Sequence, residues 1–307
     1  MKLIAPYPEV QAAPRSRTPW ARSVFCWLVT VGVHFPTLVQ PQTAWAHGDL
    51  HLRILAITQQ IKAATNNPAR LYLERGELQR EHGERKAASA DYDRAAQLDP
   101  NLPGVDFCRA KLLADSDQLE AARAMFDQAL QRSPADGECW VGRGRVLLKL
   151  GQRETAIADL QRGLELLRQP RPDDVLELAR TLTAKGQVAE ALRSLDEGIK
   201  KLGPIVPLQG YAVDLELGQK NTDAALARIE TILAHALRKE SWFARRGDIL
   251  LEAGRAAEAR GSYEAALAAV NRLPGRLQQG PAMVKLQAHV NTALTGLTNA
   301  PSSGALK

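Results

Sequence analysis

Small apolar residues recur along this chain at fixed intervals, and the intervals predict paired helices. One column is Gly76, Ala110, Gly144, Ala179 and Gly247; a second is Ala88, Ala122, Ala156, Ala191 and Ala259; a third is Ala95, Ala129, Gly163, Gly198 and Ala266. Each column steps by 34, by 34 again, by 35 and then by 68 residues. Small side chains at constant phase let two helices approach closely, as a stack of helix–turn–helix units requires. The frame gives six units, 69–102, 103–136, 137–170, 172–205, 206–239 and 240–273. Gly83, Gly151, Gly186 and Gly254 fall at the turns inside their units, where a positive φ is often needed, and Gly218 stands one place early. Unit five carries Val213 and Ile232 at two of the small positions. Their bulk predicts a wider helix crossing or a change of curvature over 206–239.

Two further stripes flank the array. Leu50, Ile54, Ile57 and Ile61 share one helical face over 49–64, with Asp49 as the expected N-cap and Asn66-Asn67-Pro68 as the stop. After Pro274-Gly275 and Gly280-Pro281, Met283, Leu286, Val290 and Leu294 form another. These predict an N-terminal cap helix within 47–68 and a C-terminal cap helix within 274–298, followed by a loose tail over 299–307. The predicted fold is all-α, an α-solenoid of about six helix–turn–helix units with a capping helix at each end.

Several units share more than small residues. Unit one reads Tyr72-x2-Arg75-Gly76 and Ala88-x3-Tyr92-x2-Ala95, closing at Pro100. Unit three gives Trp140-x2-Arg143-Gly144 and Ala156-x3-Leu160-x2-Gly163; unit six gives Phe243-x2-Arg246-Gly247 and Ala259-x3-Tyr263-x2-Ala266. Unit two has Ala122-x3-Phe126-x2-Ala129 and closes at Pro134. These residues resemble the tetratricopeptide repeat: an aromatic, a small residue four on, Ala-x3-aromatic, then Pro. The resemblance covers about two thirds of the chain, and its specificity lies in the recurrence.

The N-terminal region has a different character. Lys2, Arg15, Arg17 and Arg22 precede an apolar run from Val24 to Val39, and Ala44-Trp45-Ala46 offers a small-x-small site before His47. That order is the layout of a secretory signal peptide over 1–46, cleaved after Ala46; a retained anchor is the alternative. The run is short for a membrane span and is interrupted by Gly32, His34 and Pro36, so no stable span is expected after cleavage. The expected location is periplasmic or secreted. Loss of 1–46 removes four basic residues and Glu9, lowering the formal charge from +6 to +3. With no basic cluster interleaved with aromatics, nucleic acid is not an expected partner. Cys108 and Cys139 remain in the mature chain at different phases of adjacent units, which favours two buried thiols over a disulfide.

In the resembled family, first helices line a concave groove that holds an extended peptide or a partner helix. The resemblance implies inward positions at Leu73, Phe107, Val141 and Leu176 for an apolar stripe. One turn away come Glu77, Lys111, Arg145, Arg180, Asp214 and Asp248, joined by Lys149 and Glu252. The middle of that row is basic and its later part acidic. A peptide with an apolar side chain and a carboxylate would dock centrally, Arg145 and Arg180 offering bidentate bonds and Lys111 and Lys149 point charges. The competing reading is an ordinary solvated helix face. Leu73 and Glu77 stand where chaperone-binding members need lysine and asparagine, which argues against a chaperone tail as ligand.

Signals for chemistry are sparse. Gly142-x-Gly144 lies inside a predicted helix with no strand before it, unlike a phosphate loop. His47 and His51, with a new terminal amine at His47, could take copper or zinc, though two histidines make an incomplete set. No catalytic triad, metalloprotease helix or paired carboxylates stand out by spacing. The expectation is no enzyme, no cofactor and no catalytic metal: an exported scaffold binding a protein or peptide. The alternatives are a metal-handling or enzyme-accessory protein using His47 and His51, and a structural assembly subunit stacking through its ends.

Overall fold

The computed structural model describes residues 43–299, with side chains over 49–298. Residues 1–42 of the leader expected over 1–46, and 300–307 of the tail expected over 299–307, lie outside the described residues, and His47 is described in its backbone alone. Every regular element among the described residues is a helix. A leading helix α1 (Thr43–Ala63) is followed by pairs in the six frames: α2 (Ala69–His82) with α3 (Arg85–Leu98), α4 (Val105–Asp115) with α5 (Leu119–Arg132), and α6 (Gly137–Lys149) with α7 (Arg153–Leu166). Then come α8 (Pro172–Ala184) with α9 (Val188–Leu202), α10 (Val206–Gly218) with α11 (Thr222–His235), and α12 (Glu240–Glu252) with α13 (Ala256–Asn271). The short α14 (Gly275–Gln278) leads into α15 (Pro281–Asn299).

The small columns are the contact surfaces. A Cβ added at Gly76 would stand 2.6 Å from the Tyr92 ring, at Gly144 2.9 Å from Leu160, and at Gly247 2.5 Å from the Tyr263 ring. At Gly163 and Gly198 it would meet Val141 and Val175, each at 2.6 Å. Ala88, Ala122, Ala156, Ala191, Ala225 and Ala259 are all fully buried. The large partners Tyr92, Phe126, Leu160, Leu195, Ile229 and Tyr263 fill the space the small residues leave, and all are buried. Gly142 belongs to the same logic, since a Cβ there would meet the Phe126 ring at 2.6 Å.

Unit five fills its seam differently. Val213 and Ile232 are buried in one cluster with Ile229. A medium residue opposite a medium residue takes the volume that glycine and tyrosine take elsewhere. The inner turns also vary. Gly83, Gly151, Gly186 and Gly254 take φ between 74° and 89°, whereas units two and five place Asp117 and Lys220 at φ 59° and 60°. In unit five the turn therefore falls on Lys220, beyond Gly218.

The ends are closed by apolar stripes. Ile57 is buried, with Leu50, Ile54 and Ile61 half-buried. Asp49 is not an N-cap, because the helix begins at Thr43 and carries Asp49 in its interior. At the other end Val290 is fully buried, and Leu286 and Leu294 pack on the cluster of units five and six. Consecutive first helices approach one another (α2 with α4, α4 with α6, α8 with α10) more closely than consecutive second helices do. The array therefore bends with its first helices on the inner side.

The small-over-large contact is testable. Gly76→Ala forces a methyl into the Tyr92 ring and should cost about 1–3 kcal/mol of stability. Adding Tyr92→Leu recreates the Ala179/Leu195 combination of unit four and should recover part of the loss. Denaturant midpoints of the single and double variants measure both.

Candidate interaction face

The inner row of charges is used up largely by the array itself. Lys111 donates to Glu77 of the preceding unit, and Arg80 reaches Glu77 at 3.1 Å and Asp115 at 2.6 Å. Arg145 donates to the fully buried Asp174 and, at 2.9 Å, to Glu177, both on α8. Asp174 also accepts from Arg171. Arg245 of α12 donates to Asp214 of α10, and Asp248 accepts from Tyr263 at 2.7 Å and lies 2.8 Å from His289 Nε2 on α15. Lys111 and Arg145, expected as ligand-facing cations, are thus cross-unit ties. Sequence spacing could not show this, because the partner carboxylates sit 29 to 34 residues away.

The apolar stripe also needs correction. Val141 is fully buried against Gly163, and Leu176 is 8% exposed within the same cluster. Both belong to the buried core and so present almost no surface to a ligand, Val141 filling the seam against Gly163. Leu73 and Phe107 are half-buried, and Phe107 packs edge-on against Phe126 with 6.0 Å between centroids. Two expected residues remain open. Lys149 is exposed and has no partner among the described residues. Arg180 is exposed, its Cζ lying over the Tyr211 ring at 5.8 Å, and no carboxylate among the described residues pairs with it.

A second recurrence lies on the outer side, where the arginines of Tyr72-x2-Arg75-Gly76 and Trp140-x2-Arg143-Gly144 meet aspartates of the second helices. The arginine before the first small residue forks onto an aspartate sixteen residues on. Arg75 bonds Asp91 at 2.7 and 2.7 Å, and Arg143 bonds Asp159 at 2.6 and 2.8 Å. Arg143 also reaches Asp127 of the preceding second helix at 2.7 Å, and Arg109 reaches Asp93 at 2.6 Å. Arg246 donates to Ser262 at 2.6 Å and lies 2.6 Å from Glu230, an ion pair without the alignment of a hydrogen bond. The signal was present as Arg-Gly followed by Asp at +16.

Titration follows from these bonds. Burial pushes the Glu77 carboxyl up, but hydrogen bonds from Lys111, Tyr92 and Arg80 outweigh it and hold its pKa at about 2. Burial and the bond to Glu77 push the Tyr92 phenol upward. Cys108 and Cys139 are free and buried; burial raises Cys108 to about 12 and Cys139 higher still. Such thiols are not nucleophiles at neutral pH. The His51 ring lies 6.4 Å from that of His82, whose Nδ1 is 3.0 Å from Glu84. Among the described residues no group of three or more His, Cys, Asp or Glu is placed to hold a metal ion, and no helix is long and apolar enough to cross a membrane.

Glu77 gives a pH prediction. Its folded pKa lies below the ordinary 4.5, so its stabilising effect is present above 4.5 and is lost as pH falls toward 2. The stability gap between the parent chain and Glu77→Gln should therefore be widest near neutral pH and shrink through this window, read from urea midpoints at stepped pH.

Comparison with known proteins agrees with this architecture. Family models for the tetratricopeptide repeat match residues 69–102 and 113–175, and one for a tetratricopeptide repeat-like domain matches 211–288, together more than half of the chain. Tetratricopeptide repeat protein 33 of Xenopus laevis is 33% identical over 93 residues, 30% of this chain; the chain spans 36% of that relative's length. The solved structure of Pseudomonas aeruginosa pilF aligns with a TM-score of 0.51 and 14% identity, over 72% of this chain and 96% of that one. A tetratricopeptide repeat protein from Parabacteroides merdae aligns at 0.44 and 19% identity, over 81% and 95%. The recurrent small-over-large seams, the six helix pairs and the matched models place this chain in the tetratricopeptide repeat family, whose members are scaffolds for protein–protein interaction.

Proposed function

We propose that this chain is an exported, non-catalytic scaffold that holds a protein or peptide partner on the inner side of its array. One observation carries the reading: in a row where Glu77, Lys111, Arg145, Asp214 and Asp248 are tied to neighbouring helices, Lys149 and Arg180 are the cations that stand exposed without a carboxylate partner among the described residues. An acidic segment crossing α6 and α8 meets these two donors without breaking any contact of the fold. The non-catalytic part is supported by the state of the reactive groups. Glu77 is held ionised, Tyr92 and the two thiols are held protonated, and none is tuned toward neutrality as acid–base work asks. Export is supported by the basic, apolar and small-residue zones over 1–46.

The test uses a photo-crosslinking residue introduced at Thr183, near Arg180 on α8, and for contrast at Arg162 on the outer helix α7. A partner captured from Thr183 and lost in Lys149→Glu/Arg180→Glu is the expected result. Capture from Arg162 alone, or capture indifferent to the charge reversals, overturns the inner-face reading. The mass of the chain recovered from the cell envelope should correspond to a start at His47; an intact Met1 start overturns the cleaved leader.

A further inference from the structure

The outer arginines define a place where the pattern is broken. Two grooves between consecutive second helices are crossed by a guanidinium of the intervening first helix, Arg143 between α5 and α7 and Arg246 between α11 and α13, while Arg109 reaches α3 alone. Between α9 and α11 the arginine comes from the second helix, Arg228 forking onto Asp196 at 2.7 and 3.2 Å and reaching Glu216. Among the described residues no ion pair joins α7 to α9. The equivalent of Arg143 there is Leu178, the equivalent of Asp127 is Gln161, and the equivalent of Asp159 is Ser194.

These three residues line one cavity of about 190 Å³. Its floor is apolar, formed by Leu164, Val175 and Leu178, with Gly198 adding no side chain. Its rim carries Glu165, Glu190 and Glu197 against Arg193 and Lys201. The Lys201 ammonium is spent on the carbonyls of Leu164, Glu165 and Leu167 at 2.5 to 3.2 Å, capping α7. Three carboxylates against two cations leave the lining one charge negative, and because Glu165 is paired with Arg162 at 3.2 Å, Glu190 and Glu197 are the carboxylates without a cation partner among the described residues. The space exceeds the roughly 150 Å³ that holds a benzene ring, enough for a planar guanidinium on its stem.

We propose that this outer cavity is a binding site for an arginine side chain supplied by a partner, taking in trans the position that Arg143 and Arg246 take in cis. The apolar floor receives the methylene stem and one face of the plane. Ser194 accepts from the guanidinium as Ser262 does from Arg246 at 2.6 Å, Gln161 accepts through its amide oxygen, and Glu190 and Glu197 supply the charge. The site lies on the opposite side of the array from Lys149 and Arg180, and it takes the opposite charge. It stands whether or not the inner face binds.

The probe is N-acetyl-arginine methylamide, titrated into the full ¹⁵N-labelled chain, with the citrulline analogue as a neutral isostere. Saturable shifts at the amides of Ser194, Gly198 and Gln161 with the arginine probe, at least about tenfold weaker with citrulline, are expected. Absence of saturable shifts at these residues, or equal response to citrulline, overturns the proposal. The Leu178→Arg/Ser194→Asp variant rebuilds the fork of units one and three inside the cavity and should abolish the response; a retained response overturns the site. Should that variant not fold, Glu197→Gln changes only an exposed rim residue and should weaken the arginine response severalfold while leaving the citrulline response unchanged. An unchanged arginine response in Glu197→Gln counts against the charged rim and overturns the proposal equally.

Discussion

Contact between a residue with almost no side chain on one helix and a large ring or branched chain on its neighbour sets everything else in this molecule. Gly76 under Tyr92 and Gly247 under Tyr263 bring two helix backbones close enough that no water enters the seam. Six such seams, differing in how volume is divided between the two sides, give the rod its repeat. Because total volume is what the seam must conserve, glycine with tyrosine, alanine with leucine and valine with isoleucine are interchangeable solutions. Close backbones also fix where longer side chains emerge, and so place the charges on each side of the array.

Those charges divide into two systems with different work. On the inner side, carboxylates and cations of successive first helices bind one another: Glu77 with Lys111, Arg145 with Asp174 and Glu177, Asp214 with Arg245. On the outer side, arginines from first helices reach through to aspartates of second helices, Asp91 and Asp159 being nearly buried. Fork geometry suits a role in fixing the angle between units, since two parallel bonds resist rotation as one does not. Breaking either partner would strand a charge in a poorly solvated place.

The architecture was legible because a solenoid repeats its constraints. A single Ala-x3-Tyr says little, but Ala88, Ala122, Ala156, Ala191 and Ala259 at one phase leave few alternatives. The inner face was legible only in part. Periodicity puts Lys149 on α6 and Arg180 on α8, yet it cannot tell that Arg145 meets Asp174, because that distance is set by how two units are stacked. Nor does it separate Val141 and Leu176, which are buried in the core, from residues that open to the groove. The Asp49 side chain suits a helix start, while apolar and small residues upstream continue the helix back to Thr43. The outer arginines were in plain view, but their meaning depended on knowing which second-helix positions they touch.

At the far end, His289 stands to Asp248 as Lys111 stands to Glu77: a nitrogen base from the next helix along meets the inner carboxylate of the unit before it. The closing helix thus imitates a seventh repeat with one side chain, while Val290, Leu286 and Leu294 cover the apolar edge. Among the described residues the apolar edge of the last helix pair is therefore covered by the chain's own helix rather than left open to solvent.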